Sequence, residues 1–290
     1  MQLKNLRWYL SDVSLGLRNS GLEILNDIIM RFYGSYVGMR YHNILKRNAR
    51  FKDIYSEDDR CFIVGNGPSL AKQDLSPLAG EHVFVMNWFY QHKQFREISP
   101  EYYTFISPFA FTDYKSYDNY GMYSKFSELW RGLDEALTKT RRKTNLFLLL
   151  NQMEFVSKNN FFKQADMYYL LPFLTIKHGI RRVDLTGATY GIGTAPFSML
   201  LAYYMGFKNI FLIGCDCSWA ADCSEEKHFY SAKFYPESKY EQMLKDTLEL
   251  FACYRIIGNF LTSKGCKVYD ATEGGFLDIF PKVKYEQLFK

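Results

Sequence analysis

A histidine downstream of a predicted strand is the residue of this chain best suited to proton transfer. His228 follows Asp216, which stands at the end of a short apolar run. An imidazole accepts protons near neutral pH, so a loop that brought His228 over the sheet edge would place a general base there. The charged neighbours Glu225, Glu226 and Lys227 also fit an ordinary solvated surface segment.

Small, polar and glycine-rich positions stand where several predicted strands end. In open parallel sheets, ligands bind beyond the carboxyl ends of the strands, so we expect a nucleotide or donor site here. Glycines let a ligand approach the backbone, neighbouring N–H groups can meet phosphate, and amide side chains can read a base or sugar edge. Turns without a ligand also favour Gly and Asn. The predicted site residues are Gly65, Asn66, Gly67, Pro68, Ser69, Asn87, Ser107, Gly193, Thr194 and Asp216.

Several common motifs are missing from the sequence. No Gly-Lys-Ser/Thr follows Gly65–Ser69, and the third glycine of a dinucleotide fingerprint is also lacking. No Asp-x-Asp occurs that would hold a divalent ion on a diphosphate. Cys215, Cys217, Cys223 and His228 offer four zinc ligands, but without paired Cys-x-x-Cys spacing. We therefore expect no metal and no cofactor beyond a nucleotide-linked substrate.

The elements that must position these residues alternate between two types. Short apolar runs bounded by turn residues predict buried parallel strands at 61–64, 83–86, 102–106, 146–150, 183–185, 210–213 and 267–269. Helical patterns lie at 121–138, 162–178, 195–205 and 238–264, with Thr194 predicted to cap the third and Gly206 to end it. This alternation predicts an α/β fold, a Rossmann-like doubly wound and mostly parallel sheet.

The first fifty residues have a different character. They predict a helical extension over 1–50, followed by the main domain over 51–290. The extension is basic, and its apolar residues recur at helical spacing, which fits either a helix docked on the domain or an arm that contacts a membrane or a partner. These apolar residues are Leu22, Leu25, Ile28, Ile29 and Phe32.

Composition narrows the class of protein. With 48% hydrophobic and 23% charged residues the chain is expected to fold, and its net charge of +5 suits a polyanionic ligand or an anionic membrane surface. The sequence lacks the basic segment with interleaved aromatic residues that is typical of a nucleic-acid-binding protein. The six cysteines form no disulfide framework, and neither a signal peptide nor a membrane-spanning run is visible. We expect a cytoplasmic location, at the inner face of a membrane if the basic extension contacts lipid.

Longer segments resemble known families. Residues 61–70, CFIVGNGPSL, resemble the first strand and loop of the bacterial sialyltransferases of glycosyltransferase family 42. They equally resemble the 6-hydroxymethylpterin pyrophosphokinase-like domain family, which includes flagellin-modifying and surface-polysaccharide proteins. Residues 201–216 match both, and residues 268–275 and 280–283 are similar to the terminal motif of the second family. The resemblance covers roughly residues 45–290.

The sialyltransferase resemblance implies roles for individual residues. Gly65, Asn66 and Gly67 would face the phosphate and ribose of a nucleotide sugar. Asn87 and Thr194 would contact the nucleotide. His228 matches the base that takes the proton of the acceptor hydroxyl.

Two positions depart from the sialyltransferase pattern. Ser107 stands where those enzymes have asparagine, and Ser218 or Trp219 stands where they have a phosphate-binding tyrosine. Tyr230 and Tyr235 are candidate substitutes for that tyrosine.

The resemblance implies a glycosyltransferase, metal-independent and inverting, that moves a sugar onto a surface glycan. The sugar would be sialic-acid-like and come from a CMP donor. The partners would then be a nucleotide sugar and a glycan acceptor, with no nucleic acid. Two alternatives are a pyrophosphokinase that uses ATP and magnesium on a pterin-like alcohol, with Asp216 and Asp270 near the phosphates, and a non-catalytic nucleotide-binding protein.

Overall fold

A single parallel sheet organises the chain. The computed structural model describes residues 23–106, 122–174, 176, 179–190, 193–218, 228–229 and 240–290. Within them, eight strands lie in the order β6-β5-β4-β3-β2-β1-β7-β8, and every neighbouring pair is parallel. The α/β, Rossmann-like prediction is therefore confirmed.

The strands and helices alternate along most of the chain. The strands are β1 (Arg60–Val64), β2 (His82–Met86), β3 (Tyr102–Phe105), β4 (Asn145–Leu149), β5 (Asp166–Leu174), β6 (Ala188–Tyr190), β7 (Asn209–Ile213) and β8 (Lys267–Asp270). The α-helices are α1 (Glu23–Arg40), α2 (His42–Leu45), α3 (Phe95–Ile98), α4 (Met122–Leu137), α5 (Met153–Asn159), α6 (Thr194–Met205) and α7 (Tyr240–Ser263).

The sheet is covered on both faces. Four consecutive residues of β1, β2, β4 and β7 are buried, so each strand reads as an apolar run rather than an alternation. Alternate residues of each strand enter opposite core layers: Ile63 packs in the layer of α6 and α7, and Phe62 in the layer of α4.

The strand order reverses direction beside β1. β2 to β6 extend from one side of β1, whereas β7 and β8 lie on the other side. Cys61 pairs with His82 on one side and with Ile210 on the other. The carboxyl ends of β1 and β7 therefore flank the topological switch point, which is where open α/β sheets form a ligand crevice.

Two predicted elements were wrong. The helix expected at 162–178 is mainly strand β5, an interior strand rich in Tyr and Leu whose apolar run has no clear period. Pro172 lies where the pairing of β5 with β6 shifts register, a place that tolerates proline. The strand expected at 183–185 is instead a turn, because Asp184 accepts hydrogen bonds from the backbone and hydroxyl of Thr186.

Helix α6 begins one residue earlier than a Thr194 cap would require. Thr194 is its first helical residue, and Gly193 is the N-cap without a side-chain hydrogen bond. The predicted cap is therefore wrong, while Gly206 ends the helix in the left-handed region with φ of 107° as expected.

The described part of the N-terminal extension is bound to the main domain. Leu45 is buried in the core layer of α4, and Phe51, the first residue of the predicted main domain, is buried in the other layer. Asn48 is fully buried, and its Nδ2 donates to the Tyr169 and Leu185 carbonyl oxygens at 2.8 and 2.7 Å. The boundary at residue 51 stays a prediction, but these contacts indicate that residues 45–51 stabilise the sheet.

We expect Asn48→Ala to lower the free energy of unfolding by about 3 kcal/mol, because two buried carbonyl groups lose their donor. Urea denaturation measures the change. Asn43→Ala is the matched control, since Asn43 lies on the same segment and is exposed. Equal midpoints for the two variants would contradict the bracing role of Asn48.

Candidate functional site

The turn after β1 lies against the end of β7. Gly65 N–H donates to the Ile213 carbonyl and Gly67 N–H to the Gly214 carbonyl, each at 2.8 Å. A Cβ at Gly65 would overlap the carbonyl oxygen of Gly214. Both positions need glycine because two backbone segments meet there, so the sequence-predicted turn is part of the packed switch point.

The side chain of Asp216 binds the same turn. Its two carboxylate oxygens accept hydrogen bonds from Ser69 N–H at 3.1 Å and Ser69 Oγ at 2.9 Å. A Cβ at Gly67 would overlap this carboxylate. Burial raises the pKa of Asp216, while the Ser69 bonds oppose that rise. Asp216 therefore holds the turn in shape.

These contacts correct one expectation. The sequence suggested that N–H groups of the turn would meet phosphate. The N–H groups of Gly65, Gly67 and Ser69 instead bind protein oxygens, and Pro68 has no N–H. The N–H groups of Gly65, Gly67 and Ser69 therefore do not form an array of free backbone donors.

The side-chain amide of Asn66 lies at the strand ends with one hydrogen-bond partner among the described residues. Its Nδ2 donates to the Met86 carbonyl at 3.1 Å, which fixes the amide orientation. Its Oδ1 is buried and has no hydrogen-bond partner among the described residues. The residue as a whole is 9% exposed. A buried acceptor without a donor is costly, so a ligand donor group at this atom would stabilise it.

His228 lies directly on the Asn66 backbone. His228 Nδ1 is 3.3 Å from the Asn66 carbonyl oxygen, and Phe229 N–H donates to the same oxygen at 3.2 Å. The two residues are separated by 162 positions in the sequence. A carbonyl oxygen only accepts, so a hydrogen bond at this contact is donated by Nδ1.

The ring of Phe229 anchors this contact. It packs edge-on against Phe89 and His92, with ring centroids 6.0 and 5.2 Å away. His92 itself stacks on Phe89 at 5.3 Å. Because these rings follow β2, they hold the segment of His228 over the carboxyl edge of the sheet.

The remaining predicted residues fall into three groups. Asn87 directly follows β2 in the left-handed region with φ of 52°, and its carbonyl accepts from the Tyr103 hydroxyl. Gly193 and Thr194 form the start of α6, which contacts β3 through a Ser198 hydroxyl bond to Thr104. Ser107, Tyr230 and Tyr235 lie outside the residues that the structure describes.

The segment after β8 also reaches the site, which the site prediction did not anticipate. Phe276 N–H donates to the Asp216 carbonyl at 2.7 Å, and the Phe276 side chain is 57% exposed. Gly275, with φ of 76°, passes close to the Asp216 backbone. In the sequence, only the similarity of residues 268–275 to the terminal motif of the pterin-kinase-like family drew attention to this region. No residue type in it suggested chemistry.

An ion pair between a buried carboxylate and a partly exposed lysine fixes that segment. Asp270 at the end of β8 is fully buried and binds the ammonium of Lys282, which also donates to the Gly274 carbonyl. Thr272 N–H donates to the other carboxylate oxygen of Asp270 at 2.8 Å. The carboxylate is therefore occupied by protein donors.

We expect the cysteine cluster to bind no zinc. Cys215 and Cys217 are buried, and burial, reinforced by Asp216 and Asp270, raises the pKa of Cys217 to about 12. Zinc binds thiolates, which such an environment disfavours. Among the described residues no group of three His, Cys, Asp or Glu side chains could hold a metal, and Cys223 lies outside them. Stoichiometric zinc in protein purified without added metal would contradict this prediction.

Comparison with known proteins gives structural neighbours only. No protein-family model matches the chain, and no curated protein matches it. One similar structure is MAf glycosyltransferase from Magnetospirillum magneticum AMB-1, with 13% identity and a TM-score of 0.49 over 85% of this chain and 38% of that one. This chain thus spans well under two thirds of that protein.

Two other neighbours are sialyltransferase structures, one of CstII from Campylobacter jejuni and one of CST-II. The complex with cytidine-5'-monophosphate has 14% identity and a TM-score of 0.40, covering 79% of this chain and 86% of that one. The complex with a trisaccharide acceptor and CMP has 14% identity and a TM-score of 0.40, covering 77% and 85%. At such identities and scores these similarities assign no activity to this chain, and the pterin-kinase-like family stays a prediction.

Proposed function

We propose that this protein is a glycosyltransferase that moves a sugar from a nucleotide donor onto a glycan hydroxyl. One observation carries the proposal: at the topological switch point His228 contacts the backbone of Asn66, whose buried Oδ1 has no hydrogen-bond partner among the described residues. The candidate base His228 and the side-chain amide of Asn66 thus lie together at the edge where open α/β sheets bind ligands.

The nucleotide part of the donor would lie on the turn Gly65–Ser69. Since Oδ1 of Asn66 accepts, its partner would be an amino group of the base or a ribose hydroxyl. The close approach of Gly65 to Gly214 fixes the backbone of this turn against the end of β7. Asn87, which follows β2, and Thr194, at the start of α6, would contact other parts of the nucleotide.

In the transfer, the acceptor oxygen attacks the anomeric carbon while the bond from that carbon to the phosphate oxygen breaks. The electron pair leaves with the nucleotide phosphate. Nε2 of His228 takes the proton of the attacking hydroxyl, a role that an Nδ1–H donated to the Asn66 carbonyl would support. Direct displacement of this kind inverts the anomeric configuration.

We further propose that the reaction needs no divalent ion. The two carboxylates that a magnesium-dependent pyrophosphokinase would use are engaged by protein donors, Asp216 by Ser69 and Asp270 by Lys282. A CMP-linked, sialic-acid-like sugar is the donor that the sequence resemblance favours, and a surface glycan is the acceptor. The place of action would be the cytoplasmic face of a membrane.

A donor-hydrolysis screen tests the proposal. Purified full chain is incubated with CMP-, UDP- and GDP-sugars and with ATP, each with and without EDTA. Release of CMP that EDTA does not reduce is expected. Magnesium-dependent release of AMP would replace the proposal with a pyrophosphokinase, and no turnover with any donor, with the acceptor glycan supplied, would favour a binding protein.

A further inference from the structure

The exposed side of helix α1 is apolar along one narrow stripe. Its members project within about 80° of one another at 100° per residue. They are Leu25 and Ile28, each 45% exposed, Phe32 at 75%, Tyr36 at 51% and Met39 at 71%. Single exposed apolar residues are common, but five aligned on one helix face form a patch that calls for an occupant.

The opposite side of α1 is the one that packs on the domain. Val37 is 1% exposed, and Gly34 is buried. A Cβ at Gly38 would lie 3.8 Å from Leu171 of β5 and 4.0 Å from Gly187 before β6. The small residues let the helix lie close to the sheet, so the apolar stripe is left facing outward because docking uses another face.

From the middle of α1 to Lys52 the charged residues are of one sign, whereas Glu23 and Asp27 lie near the start of the helix. Between residues 28 and 52 the sequence contains no Asp or Glu. On the helix, exposed Arg31 lies on one side of the stripe and exposed Arg40 on the other. The Lys and Arg residues of this range are Arg31, Arg40, Lys46, Arg47, Arg50 and Lys52.

We propose that this surface, the α1 stripe with its flanking arginines, docks on an anionic lipid bilayer. The apolar side chains would enter the boundary between headgroups and acyl chains, and the arginines would bind the lipid phosphates. Charge complementarity favours this occupant, since anionic headgroups can bind the flanking Arg31 and Arg40 and a purely apolar partner cannot. No helix among the described residues could cross the bilayer, so the contact would be peripheral.

The surface is separate from the candidate site. Helix α1 packs on β5 and β6, whereas the site lies at β1 and β7. At a strand spacing of about 4.8 Å, β5 and β1 are about 19 Å apart. Lipid docking would therefore leave the strand ends accessible, and its test is independent of the proposed transfer reaction.

Vesicle sedimentation of the full chain tests the inference. Binding to phosphatidylcholine–phosphatidylserine vesicles is expected to exceed binding to phosphatidylcholine alone and to weaken with salt. The double variant Phe32→Ser/Met39→Ser should lose at least about tenfold in affinity, and Arg31→Glu/Arg40→Glu should lose a similar factor only on the anionic vesicles. Leu248→Ser on α7 is the control, because that residue is 70% exposed and lies outside the stripe.

Several results would overturn it. Equal binding to both vesicle types, or an equal loss in Leu248→Ser, would remove the stripe as the lipid contact. A dimer in size-exclusion chromatography that Phe32→Ser/Met39→Ser converts to monomer would identify a second copy of the chain as the occupant. Binding that appears only after deletion of residues 1–22 would mean that the chain itself covers the stripe. Donor hydrolysis without lipid, measured in parallel, separates these outcomes from failure of the proposed reaction.

Discussion

His228→Ala is expected to reduce turnover by about 10²–10⁴ while leaving donor affinity nearly unchanged. The reason is that the variant removes the acceptor of the hydroxyl proton, whereas the Asn66 side chain and the turn that would hold the nucleotide keep their own contacts. Nucleotide release in the presence of acceptor measures turnover, and calorimetric titration of the donor measures affinity.

The control for this variant is His42→Ala, an exposed histidine on α2 that should behave as wild type. Added imidazole should restore part of the lost rate to His228→Ala if the ring acts as a base, but would not repair a purely structural defect. Turnover equal to wild type in His228→Ala, with the acceptor present, would contradict the role of His228 as the general base.

Gly65→Ala is expected to lower the free energy of unfolding by about 3 kcal/mol and to abolish donor binding. The added methyl group would overlap the Gly214 carbonyl, which is backbone at the end of a central strand and cannot rotate away as a side chain can. Separation of the two segments would also weaken the Gly65 N–H bond to Ile213. Urea denaturation and donor titration measure the two effects.

Gly187→Ala is the matched control, because a Cβ at that glycine meets no atom within 4 Å. Its stability should stay within about 0.5 kcal/mol of wild type. If Gly65→Ala unfolded at the same urea concentration as Gly187→Ala, the close approach at the switch point would not be a constraint on the site.

The strands that carry the candidate site were predictable, because each is a short apolar run that ends in residues with a strong turn preference. Val64 before Gly65 and Ile213 before Gly214 are clear cases. Strand β5 was missed, since an interior strand filled with Tyr and Leu has no alternation to distinguish it from a helix.

The contacts within the site could not be read from the sequence. Hydrogen bonding of the turn to β7 depends on the strand order, which a single sequence does not encode locally. For the same reason the bonds from Ser69 to Asp216 could not be predicted, and donor binding by Asp216 stays a prediction. Periodicity likewise identified the apolar residues of α1 but could not tell which face of that helix meets the sheet.

The pairing of β1 with β7 also determines when the candidate site can form during synthesis. β1 acquires one neighbour, β2, almost at once, but its other edge stays unpaired until Asn209–Ile213 has been made, and His228 comes later still. Contacts between such distant segments are slow to form, and an open strand edge invites association with other chains. A ribosome-bound chain that ends before residue 209 should therefore hold most of the sheet but no crevice, and should depend on chaperones until the last third emerges.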